Sequence, residues 1–182
     1  MSLTLEAKDT GNFVPHPDGI FPAICIDVVD LGMQAVTYEN GSKSVHKIKL
    51  VFETEERLAD GTACTVSKNF TASLHKKAKL SEFLGKWRGQ PVVTGEKIDL
   101  EALKGKCATL VVSHQVSTQG RPYASIDAIT KTTKAIVASG QHDPIKMRET
   151  IAAYQAKQTQ PAPPPAPAPA PASKIHDDDV PF

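Results

Sequence analysis

The stretch Ser44-Val-His-Lys-Ile-Lys-Leu-Val-Phe-Glu-Thr54 gives the clearest secondary-structure signal in the chain. Successive side chains of a strand point to opposite sides, so its alternating polarity predicts a strand with one face in the core. The predicted core face carries Ile48, Leu50 and Phe52. The opposite face carries Lys47, Lys49 and Val51 and presents two lysines to solvent.

Four more strands are predicted around this one. Residues 19–36 are apolar at odd and even positions from Ile20 to Ile26, which is typical of a strand that is buried on both faces for part of its length. Gly32 indicates a bend or bulge in that strand, and Asn40-Gly41 predicts the turn after it. The remaining strands are predicted at residues 63–72, 106–117 and 123–131, with a hairpin tip at Gln119-Gly120.

One helix is predicted between the third and fourth strands. Ser73 is a typical N-cap residue, and Gly89 is a typical glycine at a helix end. Between them, four apolar residues recur at helical spacing: Leu80, Phe83, Leu84 and Trp87. This spacing favours a core position for Trp87. Residues 147–157 form a weaker candidate helix with few apolar anchors.

The order strand, strand, strand, helix, strand, strand is that of the OB-fold, a five-stranded Greek-key barrel. We therefore predict a mainly β protein with an OB-fold domain over residues 19–134, preceded by a loose lead-in over residues 1–18. Residues 135–157 are a candidate helical extension. Residues 158–175 are predicted to be a disordered Pro/Ala-rich linker, and residues 176–182 form an acidic tip.

Charge is distributed unevenly along the chain. Residues 1–63 carry five Lys and Arg against ten Asp and Glu, whereas residues 64–134 carry twelve against five. A basic half predicts a polyanionic partner, unless folding mixes the two halves on one surface. Cys25, Cys64 and Cys107 lack CxxC spacing and are expected to be buried thiols in a reducing compartment. No secretion signal or membrane-spanning stretch is evident, so we expect a soluble cytoplasmic protein without a membrane partner.

The acidic tip contains six residues that can act together: Asp177, Asp178, Asp179, Val180, Pro181 and Phe182. Such a peptide is too charged to fold alone, but its acids can dock on a basic groove while the phenylalanine ring enters a pocket. It resembles the acidic tip of bacterial single-stranded DNA-binding proteins. That resemblance implies recruitment of replication, recombination and repair proteins. The alternative is a tail that only keeps the chain soluble.

Residues 19–131 also resemble a group of phage-borne proteins described as single-stranded DNA-binding proteins. The resemblance rests on short pieces at residues 19–23, 30–34, 51–53, 70–74, 79–80, 83–84, 87–89 and 123–126. It implies an OB fold that binds single-stranded DNA during phage replication or recombination. The multiple stacking tryptophans of the housekeeping bacterial protein are missing, so its tetramer is not carried over. A homo-oligomer of another kind stays open.

Binding a single strand requires cations for its phosphates and rings for its bases. We predict contacts from strands two and three, from the loops that border the OB-fold groove and from the helix. The predicted residues are Tyr38, Lys43, Lys47, Lys49, Lys68, Phe70, Arg88, Arg121 and Tyr123. Phe70 fits a stacking position and a core position equally well. The alternative to phosphate contact is an ordinary solvated surface, and it stays open for Lys47, Lys49 and Arg88.

Motifs for catalysis are missing from the sequence. It contains no glycine-rich phosphate loop, no HExxH motif and no paired cysteine ligands, so we expect neither an enzyme nor a bound metal or cofactor. Two alternatives to single-stranded DNA binding stay open. One is an OB-fold adaptor that binds another protein, and the other is a single-stranded RNA binder.

Overall fold

The computed structural model describes residues 15–38, 41–117 and 120–159 of the 182-residue chain. These residues form five strands: β1 (Gly19–Tyr38), β2 (Gly41–Arg57), β3 (Ala63–Thr71), β4 (Cys107–Val116) and β5 (Pro122–Thr130). They also form the helices α1 (Lys79–Arg88) and α2 (Pro144–Thr159) and a single 3₁₀ turn at Glu101–Leu103. The prediction of a mainly β protein with a helix between the third and fourth strands is confirmed.

The strands form one antiparallel sheet in the order β3-β2-β1-β4-β5. β1 pairs with β4 over its first six residues and with β2 from Ala23 onward, so it lies at the centre of the sheet. β3 and β5 are the edge strands. No ladder joins them within the described residues, and the sheet is therefore not closed there. The edges nevertheless approach each other, and the Lys68 ammonium donates a hydrogen bond to the Ile126 carbonyl between them.

Two bulges in β1 explain its apolar pattern. The pairing with β2 shifts register between Cys25 and Asp27 and again between Asp30 and Gly32. One extra residue reverses the face to which all later side chains point. Cys25 therefore faces the main core from an odd position, and Val28 faces it from an even one. Gly32 adopts a φ of +64°, which glycine tolerates without strain, so the predicted irregularity at this position is confirmed.

The main core lies between the inner face of the sheet and α1. Ile48, Leu50 and Phe52 of β2 are buried there, as the alternating pattern predicts. The rings of Phe52 and Trp87 pack edge to face with centroids 5.3 Å apart. The core position predicted for Trp87 is confirmed, and its indole N–H donates to the Cys107 carbonyl.

The start of α1 differs from the prediction. The helix begins at Lys79, and Ala78 is its N-cap, without a side-chain hydrogen bond. The Ser73 hydroxyl instead accepts a bond from the backbone N–H of His75, which closes a local turn. Serine stabilises such turns as readily as helix starts, and here the turn prevails. The helix ends as predicted, with Gly89 in the left-handed conformation.

A second apolar cluster covers part of the outer face of the sheet. Val29, Leu31 and Val51 are buried there beneath Met147 and Ile151 of α2. The backbone N–H groups of Ile145 and Lys146 both donate to the Asp143 carboxylate, which satisfies two donors at the start of the helix. The helix is thus longer than the predicted 147–157 and extends into the first two residues assigned to the linker. Among the described residues, no helix has the length and apolarity to cross a bilayer.

The three cysteines are free, as expected from their spacing. Cys25 and Cys64 are buried and Cys107 is half-buried. Burial, reinforced by the nearby Asp27 charge, raises the pKa of the Cys25 thiol to about 12, so this thiol is inert at neutral pH. Several predictions lie outside the described residues: most of the lead-in, the turn at Asn40, the hairpin tip at Gln119, the linker beyond residue 159 and the acidic tip.

Candidate nucleic-acid interface

Two clefts run along β3 and share Asn69 as a common wall. The β3–β5 cleft, of about 420 Å³, lies between the two edge strands. The β3–α1 cleft, of about 630 Å³, lies where β3 leads toward the helix. Their basic side chains are His16, Lys47, Lys49, Lys68, His75, Lys77 and Lys79. No carboxylate lines either cleft within the part of the chain that is described, so the two adjoining clefts form a path whose lining charges are all positive.

The register between β2 and β3 brings Lys47 and Lys49 to this path. Lys49 pairs with Asn69 and Lys47 pairs with Thr71. Paired residues of neighbouring strands point to the same face, here the face opposite the core. The alternating pattern of the sequence thus correctly separates these lysines from the buried positions beside them.

Lys49 is a half-buried cation in the β3–β5 cleft. Burial lowers the pKa of its ammonium group. The ammonium forms no ion pair with any carboxylate of the described residues. Withdrawing a charge from water without a counter-charge is unfavourable, so an anion that entered the cleft would relieve this cost.

Lys68 has a different role from the other lysines. It pairs with Leu50 and therefore points to the inner side of the sheet, where its ammonium bonds to the Ile126 carbonyl. Burial lowers the pKa of Lys68; the Asp127 charge opposes this shift, and the charges of Lys79 and Lys86 add to it. Lys68 thus links the two edge strands and contributes charge to the wall of the cleft.

The lysines around the start of α1 were not among the predicted site residues. The backbone N–H of Ala78 donates to the His75 carbonyl, and this turn places Lys77 and Lys79 in the same cleft as Lys47. The sequence contains a signal for them in the run His75-Lys-Lys-Ala-Lys79 directly after a strand. The helix predicted to follow Ser73 left two possibilities open for these lysines, an extension of the basic path or an ordinary solvated helix surface.

Tyr123 supplies an accessible ring to the β3–β5 cleft. Its side chain is 43% exposed at the start of β5 and lines the cleft beside Ser125. Several large hydrophobic side chains are exposed in the described residues, and of these Tyr123 alone carries an aromatic ring. A base that stacked on this ring would keep its phosphate close to the lysines of β2 and β3.

Phe70 occupies the core position that the sequence left open, and Arg88 lies away from the two clefts. Phe70 is only 4% exposed, and its ring packs on Phe83 with centroids 4.7 Å apart, so it belongs to the core. Arg88 lies outside both clefts and pairs with Glu96 at 2.7 Å. The pairing neutralises the charge that suggested Arg88 as an extension of the basic path.

Three of the predicted site residues do not line either cleft in the part of the structure that is described. Lys43 is exposed on the part of β2 that extends beyond the pairing with β3 and does not line either cleft. Arg121 is exposed just before β5, where its backbone closes the hairpin with Ser117. The Tyr38 side chain lies outside the described part of the structure.

Comparison of the chain with protein-family models gives no match, and comparison with curated proteins gives none either. The resemblance to phage-borne and bacterial single-stranded DNA-binding proteins therefore stays a prediction. The geometry of the two clefts is the basis for a functional proposal.

Proposed function

We propose that the chain is a sequence-tolerant single-stranded DNA-binding protein that coats single strands during DNA replication or recombination. The observation that carries this proposal is the pair of clefts along β3. Lysines from two strands and from the turn before α1 converge there, and no described carboxylate lines the walls. Such a path matches a phosphate backbone, and the cleft that contains Tyr123 offers a surface for a base.

An OB-type barrel is the architecture that best explains this arrangement. β1 pairs with both β2 and β4, and β3 approaches β5 at the contact between Lys68 and Ile126. In OB-folds the face of strands two and three binds oligonucleotides. The two clefts follow the corresponding strands here, which supports the same mode of binding.

A single strand suits the clefts better than a duplex. Tyr123 can stack only on a base whose face is accessible, and the bases of a duplex are already stacked on one another. The path also offers lysines, which recognise phosphates in any sequence, and its donors are not arranged around a single base-shaped pocket.

Titration of fluorescently labelled oligonucleotides at two salt concentrations tests the proposal. We expect single-stranded DNA to bind more tightly than duplex of the same length, with an affinity that falls as salt rises. Equal affinity for duplex, or affinity that does not depend on salt, would contradict the proposal. Tighter binding of single-stranded RNA would favour the RNA alternative. Absence of binding at low salt would favour the protein adaptor.

The acidic tip is proposed to recruit replication, recombination or repair proteins. Its three aspartates and Phe182 suit a basic groove with an apolar pocket on a partner. Phe182→Ala should abolish capture of such partners while DNA affinity is retained. Val137→Ala, which also removes an exposed apolar side chain, serves as the control and should keep the capture. Undiminished capture by Phe182→Ala would exclude this role for the tip.

A further inference from the structure

A separate cavity of about 610 Å³ lies at the other end of β5 from the β3–β5 cleft. Tyr123 at the start of β5 lines the cleft, whereas Lys131, just after the end of β5, lines the cavity. The floor of the cavity is apolar and includes Trp87, Ile98 and Leu103. The cavity and the two clefts along β3 share no lining residue.

The rim of this cavity is basic. Five Lys and Arg line it against two acids. Arg88 pairs with Glu96 and Lys134 pairs with Glu55. Lys97, Lys106 and Lys131 are exposed and form no ion pair with a carboxylate of the described residues. The site thus combines an apolar floor with three cations that are available to an acidic ligand.

The chain itself contains a segment with the complementary chemistry. Residues 177–182 place three aspartates next to Val180, Pro181 and Phe182. Three carboxylates match the three rim lysines, and the phenylalanine ring matches the apolar floor. An aromatic anchor surrounded by charge pairs is a typical arrangement at peptide-binding sites.

The length of the chain after α2 permits this contact. The Gln155 side-chain amide donates to the Leu31 carbonyl, which fixes the end of α2 on β1. Leu31 lies seven residues along β1 from Ile24, which pairs with Cys107 at the cavity, a distance of roughly 23 Å for a strand. Residues 160–176 can span up to roughly 50 Å when they are extended as polyproline II.

We infer that residues 177–182 dock in this cavity of the same chain, with Phe182 on the apolar floor and the aspartates on Lys97, Lys106 and Lys131. The docked tip leaves the clefts along β3 free. It is hidden from other proteins until it is released. That last consequence rests on the proposed role of the tip in recruitment, whereas the docking itself does not.

The test uses the full chain and a fluorescein-labelled peptide of residues 173–182. The receptor carries Asp177→Asn, Asp178→Asn, Asp179→Asn and Phe182→Ala, so that its own tip cannot compete. We expect this receptor to bind the peptide, and the unmodified chain to bind it at least about tenfold more weakly. Adding Lys106→Glu and Lys131→Glu to the receptor should abolish the binding. Adding Lys47→Glu and Lys49→Glu, the same charge change on the β3 clefts, should preserve it.

Trp87 provides a second measurement that requires no change in the cavity. It is the single tryptophan of the chain, and the peptide contains none. Its emission should therefore shift as the peptide binds and should saturate with the same dissociation constant. Circular dichroism and thermal unfolding of both charge-reversed receptors establish that they fold.

Several results would overturn the inference. One is equal peptide binding by the unmodified chain and the receptor. Another is loss of binding through the β3-cleft substitutions instead of the cavity substitutions. A third is a dimer of the unmodified chain in sedimentation that disappears with the tip substitutions, because this would assign the contact to a second copy. These measurements involve neither nucleic acid nor partner proteins, so their failure is distinguishable from failure of the proposed function.

Discussion

The Nε2 atom of His142 lies 3.2 Å from the Oδ2 atom of Asp27, although 115 residues separate the two along the chain. Asp27 is buried on β1, and Nη2 of Arg148 lies 3.2 Å from its Oδ1 atom. The ammonium of Lys104 approaches the same oxygen at 3.5 Å. One buried carboxylate therefore fastens the segment that leads into α2 to the centre of the sheet. The apolar contacts of Met147 and Ile151 add to this attachment.

Replacement of Asp27 by asparagine should destabilise the protein by about 2 kcal/mol, because the charge-assisted bonds to His142 and Arg148 are lost. The loss is measured as the difference in the free energy of unfolding in urea between this variant and the unmodified chain. Asp30→Asn provides a matched control on the same strand, since the exposed Asp30 carboxylate also bonds a histidine, His46 at 2.6 Å. Its effect should be much smaller, because water solvates both partners. Equal losses for the two variants would contradict the anchoring role of Asp27.

Acid should weaken the same attachment. Burial raises the pKa of the Asp27 carboxyl, but the His142 hydrogen bond and the charges of Arg148 and Lys104 together lower it below its usual 3.8. A carboxyl with a depressed pKa stabilises the folded state fully above its unfolded pKa and loses this effect as pH falls through the folded pKa. The difference in unfolding free energy between the unmodified chain and Asp27→Asn should therefore be constant above about pH 5 and shrink below 3.8. Urea unfolding of both proteins at several pH values measures this difference in unfolding free energy. A difference that grew in acid would be inconsistent with a lowered pKa of Asp27.

Removal of a lysine from the β3 clefts should weaken binding to single-stranded DNA. We expect Lys47→Ala and Lys49→Ala each to lower the affinity and to reduce the slope of log K against log salt concentration by about 0.7, the value for one lost phosphate contact. The control is Lys146→Ala, which removes an exposed lysine of α2 that lines neither cleft. Anisotropy titrations at several salt concentrations yield both quantities. An unchanged slope in the cleft variants would show that these lysines do not contact phosphates.

Loss of the Tyr123 ring should reduce affinity by about 1–3 kcal/mol, the range for one stacked base. Tyr123→Ala removes the ring, whereas Tyr123→Phe keeps the ring and removes the hydroxyl. If Tyr123 stacks on a base, the phenylalanine variant should bind a single-stranded oligonucleotide nearly as tightly as the unmodified chain. If both variants lost the same affinity, the hydroxyl and not the ring would be responsible.

The sequence predicts the strands well because their signal is local. Alternation around Leu50 identifies both faces of β2, and the predicted ends of β3, β4 and β5 differ from the structure by at most one residue. The start of α1 could not be predicted, because the Ser73 hydroxyl suits a turn as well as a helix cap. The turn places Lys77 and Lys79 in one cleft with Lys47, a position that the predicted helix did not specify. The sequence contains no signal for the anchoring role of Asp27. The position of an acid within an apolar run reveals neither that the acid is buried nor which distant residues it bonds.

The sequence by itself determined which residues form strands, which face of β2 is apolar and which residues form the apolar stripe of α1. These features depend on neighbours a few positions away, and backbone periodicity fixes them. Only the tertiary structure decided that Lys47 meets Lys77 and Lys79 in one cleft, that Arg88 pairs with Glu96 and that α2 covers Val51. Each of these contacts depends on the register between strands and on the bulges of β1, which determine how segments that are distant in the chain meet in space.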